Sequence, residues 1–86
     1  MPTVSVFFGI RISIYYRDHA PPHFHARYGE FNASISIDQL LVLRGRLPRR
    51  ALALVLEWAS IHRVELLEDW ERARAELPLR PIPPLR

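Results

Sequence analysis

The 86-residue chain has no cysteine and no lysine. The missing cysteine excludes disulfides, thiolate metal ligands and a cysteine nucleophile, so a metal would have to be held by His, Asp or Glu. The missing lysine makes all 12 basic residues arginine, a bias that GC-rich codon usage explains without invoking chemistry. Long apolar runs are also missing. None approaches the roughly 20 residues needed to span a bilayer, and the N-terminus lacks the positive-then-apolar pattern of a signal peptide. The expected location is therefore the cytoplasm, with no membrane partner.

Roughly half the residues are apolar and the aromatics are spread over both halves, the composition of a folded globule. A chain this short buries only about two-thirds of its unfolded surface, so its core must be thin. The charge is uneven. Residues 1–50 hold seven arginines against three acids, and residues 51–86 hold five against six. The positive field belongs to the N-terminal half, which can attract phosphate, nucleic acid or an acidic protein if the arginines collect on one face.

Hydrophobic periodicity divides the chain into strands and then helix. Ile10, Ile12, Ile14 and Tyr16 alternate with Arg11, Ser13 and Tyr15, the pattern of a half-buried strand. Pro21 and Pro22 interrupt it. Period two returns with Phe24, Ala26 and Tyr28 against His23, His25 and Arg27. Gly29-Glu30 fits a two-residue hairpin turn, followed by a strand carrying Phe31, Ala33, Ile35 and Ile37. A fourth short strand is expected at Leu41 to Leu43, ending before Gly45. With a two-residue turn, residues whose numbers sum to 59 lie opposite one another, which puts His25 across from Ser34, His23 from Ser36 and Arg27 from Asn32. If the first strand joins in the register that unites the apolar faces, Arg11 and Tyr15 share this polar face.

From Pro48 the period becomes helical, through Leu52, Val55, Ala59, His62, Leu66, Trp70 and Ala73. One helix from Pro48 to Ala75 would be about 40 Å long, roughly twice the width of four strands, so a bend or break is expected near His62 to Val64. Glu57, Glu65, Glu68, Asp69 and Glu71 are expected on its outer surface. Pro78, Pro81, Pro83 and Pro84 make the tail extended or disordered. The expected fold is α+β: an antiparallel sheet of three to four strands, followed by one long bent helix or two helices packed on its apolar face. A single domain over residues 1–76 and a proline-rich tail over 77–86 complete the organisation.

Three constellations carry chemistry. His19, His23 and His25, with Asp18 beside them, form the first: histidines two apart on a strand share a face, and three imidazoles with one open position suit zinc or nickel, as well as copper or iron. The same face also reads without a metal. There His23 and His25 would transfer protons, Arg11 or Arg27 would stabilise a phosphate charge and Tyr15 would donate a hydrogen bond, a set suited to RNA cleavage or to phosphate binding. An ordinary solvated polar face is the plain alternative. The third constellation is Arg44, Arg46, Arg49 and Arg50 around Gly45 and Pro48, placed to bind phosphate or a partner's carboxylates or simply to be solvated. His62 lies on the apolar helical stripe and is expected to be a core or boundary histidine, hydrogen-bonded to a strand residue.

Several of these residues also carry a resemblance. Pro2-Thr3-Val4 with Phe7-Phe8-Gly9-Ile10, the segment Tyr16-Arg17-Asp18-His19-Ala20-Pro21-Pro22-His23-Phe24-His25, and Leu47-Pro48-Arg49-Arg50-Ala51-Leu52 with Glu57-Trp58-Ala59 resemble the small bacterial family catalogued as domain of unknown function four-one-six-zero. The likeness extends to about Arg74. Members are often encoded beside a second small domain in an arrangement similar to toxin-antitoxin pairs. The resemblance thus implies a small protein partner and a growth-inhibitory or RNA-directed role, and it assigns no catalytic residues. Three readings stand: a toxin-antitoxin-like component acting with a partner and binding or cleaving RNA through Arg11, Tyr15, His23, His25 and Arg27; a metal-binding protein or metalloenzyme using His19, His23 and His25; and a non-catalytic interaction module, a homo-oligomer or paired with another chain through the helical surface and an open sheet edge.

Overall fold

The computed structural model describes residues 2–86. Five antiparallel strands run in sequence order across one sheet: β1 (Thr3–Phe7), β2 (Ile10–Ser13), β3 (His23–Tyr28), β4 (Phe31–Ser36) and β5 (Val42–Arg46). Two helices follow, α1 (Arg49–Ile61) and α2 (Arg63–Arg74). The α+β architecture agrees with the sequence reading, with one more strand than the three to four expected. That extra strand is β1, whose short Thr-Val-Ser-Val-Phe run carries a register shift between Thr3 and Ser5 and so lacks a clean alternation. The first expected strand also stops early, at Ser13 rather than Tyr16.

Register follows the apolar pattern. β3 and β4 pair His23 with Ser36, His25 with Ser34 and Arg27 with Asn32, the arrangement a two-residue Gly29-Glu30 turn dictates. β2 joins β3 with Arg11 opposite Arg27 and Ser13 opposite His25. One sheet face is thereby apolar, with Ile10, Ile12, Phe24, Ala26, Ala33 and Ile35 almost fully buried. The other face gathers Arg and His. β5 does not end before Gly45. It passes through that residue at φ +73, a conformation that favours glycine, and any side chain there would run into the Asn32 carbonyl oxygen.

α1 lies on the apolar face, where the Trp58 ring sits 5.2 Å from Phe7 and 6.1 Å from Phe24. Its buried line is Ala51, Val55, Trp58 and Ala59, and Leu52 is only half-buried. Pro48 stands at the N-cap rather than in the first turn, and no side chain caps the helix. The break falls at His62, as the length argument requires. Arg63 holds the break to the sheet by donating from Nε to the Ile37 carbonyl at 3.1 Å. In α2 the buried residues are Leu66, Asp69, Trp70 and Ala73, so Asp69 belongs to the interior and not to the acidic outer surface expected for it.

The tail is extended and packs on the domain. Ile82 is buried, and its N–H donates to the Val4 carbonyl at 2.8 Å, covering part of the β1 edge. Trp58 donates from Nε1 to the Pro83 carbonyl at 2.8 Å, and the Arg80 N–H donates to Asp69 Oδ1 at 2.9 Å. Among the described residues nothing comparable covers the β5 edge, where Val42 and Leu43 are exposed together with Leu41 just before the strand. Among the described residues no helix is long and apolar enough to cross a membrane.

Candidate metal centre

Alternation along β3 puts His23 and His25 on one face, their ring centroids 5.1 Å apart. The turn before β3 supplies the carboxylate. Asp18 Oδ1 accepts the His19 backbone N–H at 3.0 Å, a local turn of the kind Asp side chains make with nearby backbone. Its other oxygen, Oδ2, is left pointing at the strand. His23 Nε2 lies 2.9 Å from Oδ2 and His25 Nε2 lies 3.3 Å from it. The remaining ring nitrogens meet outer partners: His23 Nδ1 is 2.7 Å from the Pro21 carbonyl oxygen, and His25 Nδ1 is 3.4 Å from Ser34 Oγ. Trp70 closes one side, 5.1 Å from His23, and Tyr15 the other, 4.5 Å from His25.

Burial and hydrogen bonding shift two groups of the triad. Burial by itself pushes the Asp18 carboxyl up, but hydrogen bonds from His25 and the His19 backbone, with positive charge at His23, bring it below the ordinary Asp value. Burial pushes His25 down, the neighbouring His23 adds to this, and the hydrogen bond and charge of Asp18 only partly oppose them. The site thus favours an ionised carboxylate beside a neutral imidazole, the two forms that bind metals. His23 faces an acceptor at each ring nitrogen, whereas a neutral imidazole has a single N–H. Either a second proton or a cation between Nε2 and Oδ2 satisfies both contacts.

The spacing has the right scale. Ligands at about 2.1 Å from one ion, in tetrahedral or octahedral arrangement, lie about 3.0–3.4 Å from each other, close to the 2.9 and 3.3 Å found here. Ligand atoms of Asp18, His23 and His25 all fall within 4.8 Å of one another. Two histidines that aim Nε2 inward and hold Nδ1 against a backbone carbonyl and a hydroxyl match the outer-shell support that orients metal-binding imidazoles. Three protein ligands of this kind leave coordination positions open. A cavity of about 350 Å³ lies against the three, lined by them and by His19, Pro21, Ser34, Leu43 and Arg44.

A comparison with protein families adds a match to the family described as Domain of unknown function (DUF4160) over residues 9–71. The chain belongs to that family. The matched span includes Asp18, His23, His25, Ser34 and Arg44, whereas the Pro2-Thr3-Val4 opening lies outside it. No curated protein and no solved structure shows significant similarity to the chain.

Within this DUF4160 domain the other candidate residues fall into separate places. His19 has a side chain 95 % exposed and meets Asp18 through Oδ1, away from the oxygen that His23 and His25 share. Arg11 and Arg27 are directly opposed on the polar face, with Arg46 in the same row through Asn32, whereas Arg44 lies in the row of His25 through Ser34. Arg46 stacks over the Phe31 ring at 5.2 Å. Arg49 and Arg50 lie in the first turn of α1, apart from the cavity over the triad. His62 hydrogen-bonds Glu65 Oε1 at 2.7 Å, not a strand residue, because the helix break makes it the N-cap of α2 with Glu65 three positions on. Sequence reasoning missed the Pro21 carbonyl and Trp70. Trp70 lies on the helical apolar stripe, yet α2 carries its ring to the end of the sheet where β3 begins.

Proposed function

We propose that this domain binds one divalent transition metal, zinc or nickel being the ions best suited, through Asp18 Oδ2 and the Nε2 atoms of His23 and His25. The observation that carries the reading is the convergence of both Nε2 atoms on one carboxylate oxygen while both Nδ1 atoms face outer partners. When bound, such an ion can polarise an oxygen ligand or lower the pKa of a water. The test is metal analysis of tag-free protein after equilibrium dialysis against Zn(II) or Ni(II). One equivalent is expected in the wild type and none in Asp18→Ala/His25→Ala. Equal metal content in the two proteins would overturn the reading.

A second reading, RNA binding or cleavage by a toxin-antitoxin-like component, is favoured by the basic face. Arg11 and Arg27 are cross-strand neighbours, a like-charge arrangement that disfavours pairing unless an anion lies over them. Among the described residues neither they nor Arg44 and Arg46 form an ion pair. The partner protein or second copy that goes with this reading has the uncovered β5 edge available to it. Induced expression without the neighbouring gene tests it: growth arrest supports a toxin, and normal growth with folded protein accumulating rejects one.

A further inference from the structure

The cavity over the triad has a second charged wall, and its chemistry says what enters. Ser13, His25, Ser34 and Arg44 form one row across β2, β3, β4 and β5. Residues in a row of paired strands project from the same face. Arg44 therefore stands two strands from His25, about 9.6 Å along the row, with Ser34 between them. Its guanidinium has no hydrogen bond or ion pair among the described residues, and it lines the same cavity as Asp18, His23 and His25. Asp18 is the one acid in that lining. A divalent ion offset by a single carboxylate, with the Arg44 guanidinium facing it, leaves two uncompensated positive charges in a cleft that also contains Pro21 and Leu43.

We infer that this cavity is an oxyanion subsite for a phosphate-type dianion, one oxygen binding the metal at an open position and the others accepting hydrogen bonds from Arg44. This inference rests on the metal reading above and deepens it. The planar guanidinium fork matches the oxygen spacing of a phosphate and binds it with two parallel hydrogen bonds. A flat carboxylate monoanion would leave one charge unmet. The ligand's source is either free phosphate or the terminal phosphate of a nucleotide or similar monoester, since the cavity's 350 Å³ admits either.

The test uses the full chain loaded with Co(II), whose visible spectrum reports its coordination, titrated with inorganic phosphate, with a nucleoside 5′-monophosphate and with acetate. Phosphate should change the cobalt spectrum saturably. Arg44→Ala should weaken that response at least about tenfold while binding Co(II) as the wild type does, and Arg44→Lys should recover part of it. A nucleotide that binds more tightly than inorganic phosphate identifies a monoester as the source, and equal affinity identifies the free anion. Bound cobalt that ignores phosphate overturns the subsite and leaves the metal reading standing. So does an unchanged phosphate affinity in Arg44→Ala, or acetate binding as tightly as phosphate. Failure of Co(II) to bind overturns both.

Discussion

A buried histidine, His23, and a half-buried one, His62, have nearly the same surroundings and quite different prospects. His23 packs on Trp70 and lies 2.9 Å from a carboxylate oxygen of Asp18; His62 packs on Trp58 and lies 2.7 Å from a carboxylate oxygen of Glu65. The difference is in what else converges. Asp18 Oδ2 also receives His25 from the same strand face, and a cavity opens over the three. Among the described residues Glu65 receives His62 alone, at the start of α2, where a carboxylate is already favoured by the helix dipole. A Trp-His-carboxylate set is thus a structural joint at a helix break and, at a strand face, part of the triad for which metal binding is proposed. A second imidazole and open space make the distinction.

The largest expected effect breaks the comparison directly. His23→Ala should lower Zn(II) affinity by at least about 100-fold, because it removes a ligand and not merely an outer partner, whereas His62→Ala should leave the affinity within about twofold. Isothermal titration of both variants decides it, and equal losses would mean that His62 shares the site. Next in size, His62→Ala should cost about 1–2 kcal/mol of folding stability in urea melts, from the lost hydrogen bond to Glu65 and the contact with Trp58. An unchanged midpoint would deny His62 its role at the joint.

Two smaller effects sharpen the contrast through pH. His25 is held below the ordinary histidine value of 6.5, so its neutral form stabilises the fold above that value. The contribution is lost as pH falls through the depressed folded value. Between pH 7 and 5 the metal-free wild type should lose stability more steeply than His25→Asn, as urea midpoints would show. Asp69 has the opposite sign. Burial raises it above 3.8 and its Oδ2 has no hydrogen-bond partner. Its contribution is therefore fully present below 3.8 and lost as pH rises through the raised folded value. Asp69→Asn keeps an acceptor for the Arg80 N–H and should gain about 1 kcal/mol at pH 7.5, an advantage that shrinks toward acid. A pH-independent difference would show that ionisation of Asp69 is not its source.

Much of the site was legible because strands have a strict period. The alternation of His23 and His25 with Phe24 and Ala26 settles which face each occupies, and the Gly29-Glu30 turn settles that Ser34 lies opposite His25. A bend or break near His62 to Val64 followed from helix length, and the structure puts it at His62. Asp69 was misplaced because a charged residue on a helix is normally solvated, and only the tail, folding back with the Arg80 N–H, makes its burial tolerable. β1 escaped notice because a five-residue strand with an irregular register carries little periodic signal.

Composition limits any metal ligands in this chain to His, Asp or Glu, and the two-residue repeat puts His23, His25 and Arg27 on one sheet face, whereas Arg11 joins them through the strand register that the structure supplies. The tertiary structure alone decided which of the residues in the Asp18 to His25 segment converge. His19 is adjacent to Asp18 in the chain yet stands in solvent, while Asp18 folds back to reach His23 and His25. Arg44, on a strand two places away, comes to face them across the cavity. Loop conformation and strand order have no period to read. They are set by the turn's own hydrogen bonds and by the packing of the apolar face, which no local pattern encodes.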